Sequence, residues 1–242
     1  SKHVQTESIV TAREAHAAVR LAEMVAGGPL ALRQRPILSI MQCTASPLAQ
    51  DGGSLEAALV AAEAGLPVGF MTMASAGSTA PATPAGTLVV GNAEVISALA
   101  LIQLAFPGAP VFYAAAQTAM DMRTGGYVAA GPEIGLINLI CLEMSRFYGL
   151  LTQATGISAD AETADFQAGS EGGMTGLCAA LAGADSLVAA GGLGGVQTTS
   201  LAKMVLDDDQ VGALRRYLRE SAVDETTALM DDILEVGIGG HF

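Results

Sequence analysis

Residues 67–73 read Pro67-Val68-Gly69-Phe70-Met71-Thr72-Met73, and only Thr72 interrupts the apolar run. A strand with one wet face alternates apolar and polar residues, whereas a strand covered on both faces does not. This stretch therefore reads as a strand inside a parallel sheet. A leading proline is tolerated, because the first residue of a strand can forgo its ladder hydrogen bond. The same signature recurs at 36–43 (PILSIMQC), 110–116 (PVFYAAA), 150–155 (LLTQAT) and 186–190 (SLVAA). Helical stretches fill the gaps. Residues 11–26 open on Thr11 with Glu14 at capping-box spacing and stop at Gly27-Gly28. Further helices are expected at 54–64, 92–106, 132–148 and 173–184, then at 200–219 and 224–236 with no strand between the last two. Alternating strands and helices predict an α/β fold, either an open, doubly wound sheet or part of a (β/α)8 TIM-type barrel. The strand starts repeat every 38 residues or so, and eight such units need about 300 residues. The chain has 242. It is thus expected to be a single α/β barrel domain over 1–242, incomplete, with about five βα units plus C-terminal helices. An exposed apolar edge should follow, pairing with another chain, with further sequence, or in a homo-oligomer.

Composition narrows the function. Hydrophobic residues make up 51% and charged residues 14%, which excludes a disordered chain. Three cysteines are too few for a disulfide scaffold. The balance of 11 basic against 24 acidic residues gives −13, the wrong sign for gripping nucleic-acid phosphates. The apolar runs near 95–106 and 134–144 fall short of the roughly 20 residues of a membrane span. Residues 1–20 are polar and do not read as a secretory leader. A cytoplasmic protein is expected, with neither nucleic acid nor membrane as partner.

In parallel α/β folds ligands bind at the carboxyl ends of the strands. Here those segments are 42–51, 73–84, 116–131, 155–172 and 191–199. Neither lysine, Lys2 or Lys203, follows a strand, which disfavours a Schiff-base enzyme. The histidines are His3, His16 and His241, which disfavours a histidine metal site or a Ser–His–Asp triad. The glycines of 191–195 could receive an anion, though a plain tight turn is the commoner reason for such a run. Cys43 ends the first of these strands, as a nucleophile or as buried structure. Asp121 and Arg123 form either a loop salt bridge or an ion pair in a pocket wall. Asp165 is either a ligand contact or the N-cap of the next helix. Glu94 sits in the first turn of the expected helix 92–106, where a carboxylate is favourable anyway. The aspartates of 207–209 read as a solvated helix face.

Several segments together resemble the trimethylamine methyltransferase family, including members without pyrrolysine that act on quaternary amines such as glycine betaine. They are 24–36 (MVAGGPLALRQRP), 76–86 (AGSTAPATPAG), 92–95 (NAEV), 121–125 (DMRTG), 165–171 (DFQAGSE), 180–184 (ALAGA) and 206–208 (LDD). The likeness runs from Lys2-His3-Val4 to Gly240-His241-Phe242. It implies a (β/α)8 TIM-type barrel, incomplete in this chain, and a methyl transfer from a methylated, quaternary amine to the Co(I) of a cobalamin-type corrinoid. That corrinoid would be held by a separate corrinoid protein, not bound tightly by this chain. With the strand-end positions, it puts substrate contacts at Gln42, Glu94, Asp121, Arg123, Tyr127, Asp165, Gln167 and Glu171, and it names no catalytic residue and no metal ligand. A quaternary ammonium leaves as a neutral tertiary amine, so the scarcity of histidine and lysine is no obstacle. Family members commonly read Gln-Ala-Gly-Tyr-Glu-Lys where this chain has Gln167-Ala168-Gly169-Ser170-Glu171-Gly172. Quaternary ammonium favours aromatic faces, and Tyr113, Tyr127, Phe166 and Phe242 are the candidates. Two other readings stand beside this one: a non-catalytic, barrel-derived module that binds a small amine, and an unrelated barrel enzyme with an anion at Gly191-Gly192-Leu193-Gly194-Gly195.

Overall fold

All five expected strands are present in the computed structural model, which describes residues 3–6 and 9–241. Lys2 and Phe242 lie outside the described residues. The strands are β2 (Leu38–Ala45), β4 (Val68–Thr72), β6 (Val111–Ala115), β8 (Leu151–Thr155) and β9 (Ser186–Val188). A sixth, β1 (Val4–Thr6), was not expected, because Val-Gln-Thr is too short and too polar to show a pattern. The order β1-β2-β4-β6-β8-β9 is parallel throughout and follows the chain. That order is consistent with part of a βα barrel. Among the described residues no pairing joins β9 back to β1, so the sheet is open. Eight strands would close it.

The sheet is nonetheless curled. Strands β1 and β8 are four positions apart, about 19 Å if the sheet were flat. Yet the side-chain amides of Gln5 and Gln153 exchange two hydrogen bonds of 2.8 Å. Their shared face is therefore concave.

Helices cover the convex face. They are α1 (Ala12–Ala26), α2 (Pro29–Gln34), α3 (Gly52–Glu63), α4 (Pro84–Ala105), α5 (Pro132–Tyr148), α6 (Phe166–Leu181) and α7 (Leu201–Tyr217). The register places Ile40, Val68, Phe70 and Tyr113 on this side, packed with Ala58 and Ala61 of α3, Ala98 and Ile102 of α4, and Ile137 of α5. Alanines let α3 lie close to the strands. The concave face carries Met41, Met71, Ala114 and Ala116, with Phe112 and Val188 against them. Gly69 has to be glycine, because a Cβ there would come within 2.0 Å of the Phe112 ring.

Three expected boundaries shift. Helix α4 starts at Pro84, not residue 92, because Thr83 caps it by accepting from the Gly86 N–H and proline suits the first turn. It is consequently 22 residues long and, by length and composition, apolar enough to cross a membrane, which corrects the expectation that no run reaches that size. Its Thr87, Gly91, Glu94, Val95, Ala98 and Ile102 form a buried stripe at helical spacing, as in a helix laid on a sheet. Helix α6 starts at Phe166 instead of 173. The helix expected at 224–236 breaks at Leu229 (φ 49°) into α8 (Glu225–Ala228) and α9 (Met230–Val236).

Candidate functional site

The carboxyl ends of the strands form a mouth built from small extra elements. Strand β3 (Ala49–Gln50) folds back on β2, β5 (Ser75–Ala76) pairs with β7 (Thr118–Ala119), and β10 (Gly192–Leu193) pairs with β11 (Thr198–Thr199). Two buried carboxylates anchor these loops from the helix layer.

The first is Glu94, 1% exposed. Its Oε2 accepts from the hydroxyls of Thr44 (2.6 Å), Ser46 (2.8 Å) and Thr72 (2.7 Å). Its Oε1 accepts from the Leu48 N–H at 2.9 Å. One side chain thus ties the ends of β2 and β4 to the loop after β2. Because α4 starts early, Glu94 sits mid-helix and not in a first turn, so helix-dipole favour does not explain it. The second is Asp207, which accepts from the Lys203 ammonium and, at 2.6 Å, from the Gly191 N–H. This corrects the reading of 207–209 as wholly solvated, since Asp207 is buried.

Between these anchors, Asp160 follows β8. Its carboxylate accepts the N–H groups of Ala129 (2.7 Å) and Ala130 (3.1 Å) in the loop after β6. Burial holds this carboxyl above the ordinary aspartate range against those two bonds, and the neighbouring Glu171 carboxylate adds to the shift. Tyr127 donates its hydroxyl to the Ala116 carbonyl. Burial raises its phenol above the usual range, with Asp160 and Cys43 close enough to contribute. Cys43, level with Met71 on the concave face, is exposed.

Beyond the carboxyl ends of the main sheet strands lie five exposed apolar side chains: Leu48, Met73, Met122 and Val196 in connecting segments and Phe166 at the first residue of α6. Phe166 is 91% exposed. Leu48 and Val196 hold left-handed backbone at φ 55° and 66°, a conformation that costs non-glycine residues energy.

The eight expected contacts separate accordingly. Gln42 points to the helix side, donating to the Ile9 carbonyl at 2.6 Å, and Glu94 lies on that side too. Asp121 closes a local turn, accepting from the Arg123 N–H (2.9 Å) and the Thr124 hydroxyl (3.0 Å), bonds that lower its pKa. The Arg123 guanidinium is 3.9 Å from Asp121 and its side chain 91% exposed, a loop contact and not a pocket wall. Asp165 caps α6 by accepting from the Ala168 N–H, and that bond lowers its pKa. Gln167 donates to Glu171 (2.7 Å), whose other oxygen accepts the Asp160 N–H (2.8 Å). The structure therefore brings Tyr127 and Glu171 together around Asp160. Among the aromatic candidates, Tyr113 is fully buried on the helix side.

The anion reading of the glycine turn loses its donors. The N–H groups of Gly191, Gly192, Gly194 and Gly195 go to Asp207, Ala189, Ala161 and Ala159. Among the described residues no group of three or more His, Cys, Asp or Glu could hold a metal ion. Sequence reasoning missed Asp160, Lys203 and the hydroxyls around Glu94. The one available signal was the four-residue spacing of Lys203 and Asp207.

The family model described as trimethylamine methyltransferase (MTTB) matches residues 1–242. The chain is 38% identical over 210 residues to the trimethylamine methyltransferase MttB of Methanosarcina barkeri, covering 87% of this chain and 42% of that protein. It is 35% identical over 242 residues to the MttB of Desulfitobacterium hafniense strain DSM 10664 / DCB-2, covering 100% and 49%. It is 36% identical over 225 residues to the glycine betaine methyltransferase of Desulfitobacterium hafniense strain Y51, covering 93% and 47%. The chain spans about half the length of the curated relatives it matches.

Proposed function

The chain belongs to the trimethylamine methyltransferase family, and from that premise we propose that it serves methyl transfer from a quaternary amine to a corrinoid carried by a separate protein. The observation that carries this reading is the rim. Five exposed apolar side chains lie at the mouth, four on connecting segments and one at the start of α6, two of them on strained backbone. Such a surface suits a partner that arrives over the mouth, not a small solute alone. When bound, the corrinoid supplies a Co(I) nucleophile. At the substrate, the methyl carbon's bond to nitrogen breaks and the electron pair leaves with a neutral tertiary amine. No proton moves, so the chain needs no general acid. Its residues orient the ammonium and keep water out. Tyr127 and Asp160 are the aromatic and acidic groups placed for that task. We place the reaction in the cytoplasm. The open edges at β1 and β9 are where another chain segment or a second subunit would continue the sheet.

The test is methyl transfer by the intact protein from glycine betaine, trimethylamine and related amines to a Co(I) corrinoid protein. Methylated cobalt with a quaternary amine is the expected result. A panel that binds but never methylates cobalt would favour the amine-binding module instead. That outcome has support in Gln167 and Glu171, which bond to each other in the first turns of α6, where the family's aromatic and lysine are missing.

A further inference from the structure

We propose that Lys203 and Asp207 are positioning residues, a buried clamp that fixes the loops after β8 and β9 in the conformation the substrate meets. This rests on the reading of the mouth as the site of methyl transfer.

Lys203 is 2% exposed. Its ammonium makes three bonds: 2.5 Å to the Ile157 carbonyl and 2.8 Å to each Asp207 oxygen. Asp207 in turn accepts the Gly191 N–H. Lys203 therefore holds the turn after β8, and Asp207 the turn after β9. Both turns are strained, with Ile157 at φ 73° and Ala189 at φ 76°. A β-branched residue is especially costly there. Helix α6 presses on the same turn, since a Cβ on Gly172 would lie 2.8 Å from the Ile157 carbonyl oxygen.

The clamped turns reach the centre of the mouth. Ser158 donates to the Ala129 carbonyl at 3.0 Å, and Asp160 accepts from Ala129 and Ala130. Gly194 and Gly195 donate to the carbonyls of Ala161 and Ala159. Movement at Ile157 would therefore displace Asp160 and the loop carrying Tyr127. A buried ion pair stabilises little beyond what well-packed apolar residues would. Its value here lies in direction: it aims two backbone groups that apolar packing could not hold.

The test combines Lys203→Met with Asp207→Asn in the intact protein. The pair of changes removes both charges and the bond to Ile157, and leaves an acceptor for Gly191. The clamp predicts an unchanged unfolding midpoint and faster amide exchange confined to 157–161 and 189–195. With glycine betaine and a Co(I) corrinoid protein, kcat should fall about a hundredfold, more than KM changes, as expected of a misplaced site. Unchanged exchange and kcat overturn the proposal. So does a loss of stability with exchange raised throughout, the mark of a merely structural pair. If that double variant does not fold, Lys203→Met with Asp207→Leu, which likewise leaves no buried charge, should show the same local exchange, and exchange equal to wild type overturns the clamp. If the wild type methylates no cobalt, the methyl-transfer reading fails by itself, and the exchange pattern still decides whether the clamp holds the loops.

Discussion

Two buried carboxylates hold the mouth from opposite sides, and they are satisfied in different ways. Glu94 is surrounded by three hydroxyls and a backbone N–H. Asp207 is held by one ammonium and a backbone N–H. Hydroxyls rotate and can donate or accept, whereas an ammonium can only donate. The β2–β4 side of the mouth should therefore adapt to a change at its anchor, and the β8–β9 side should not.

The largest expected effect follows from that difference. Lys203→Met strands a buried charge and should cost about 3–5 kcal/mol, read by urea unfolding. Adding Asp207→Leu should restore most of it, since an apolar pair of similar volume is often neutral. If the single change costs under about 1 kcal/mol, the clamp side is as adaptable as the other. Gly91→Ala on the Glu94 side comes next. The new Cβ would sit 1.8 Å from the Gln117 amide, itself bonded to the Thr87 carbonyl. Overpacking of this kind costs about 1–3 kcal/mol. Glu94→Gln should cost less, about 1–2 kcal/mol, because the hydroxyls can turn to accept from the new amide. A loss equal to that of Lys203→Met would erase the distinction between the two sides.

Asp160, between the anchors, gives a pH test. Its folded pKa is raised, chiefly by burial, above an unfolded value of about 3.9. Such a group contributes its stability fully below the unfolded value, and the contribution is lost as pH rises through the folded value. Wild type should thus lose stability relative to Asp160→Asn as pH rises from about 3.9 through the raised folded value. Parallel curves would show that the carboxyl is not buried in solution. The smallest effect is expected at the rim: Arg123→Ala should leave the unfolding midpoint unchanged, because the side chain is exposed and 3.9 Å from its partner.

PVGFMTM and PVFYAAA were legible because strands covered on both faces are mostly apolar, whereas LLTQAT carried less signal, since its Thr152, Gln153 and Thr155 are buried yet polar. Strand β1 was not legible, since three residues carry no period. Asp165 was legible as a cap, one of its two readings, because capping is a local matter of three residues. The Gln42 assignment went astray for a related reason. Strand-end position follows from sequence, but which face a residue takes depends on register, and a one-residue difference reverses it. Cys43, the next residue, has the concave face that Gln42 lacks.

The sequence by itself determined the α/β class and the succession of strands and helices along the chain, because these depend on local apolar patterning. It also carried the family likeness. Only the tertiary structure decided which polar groups meet. Glu94 finds hydroxyls up to 50 residues away, Lys203 reaches a carbonyl 46 residues back, and Gln5 meets Gln153 across 148. Such contacts are fixed by the curl of the sheet and the pitch of the helices laid on it, and no local window of sequence contains both partners.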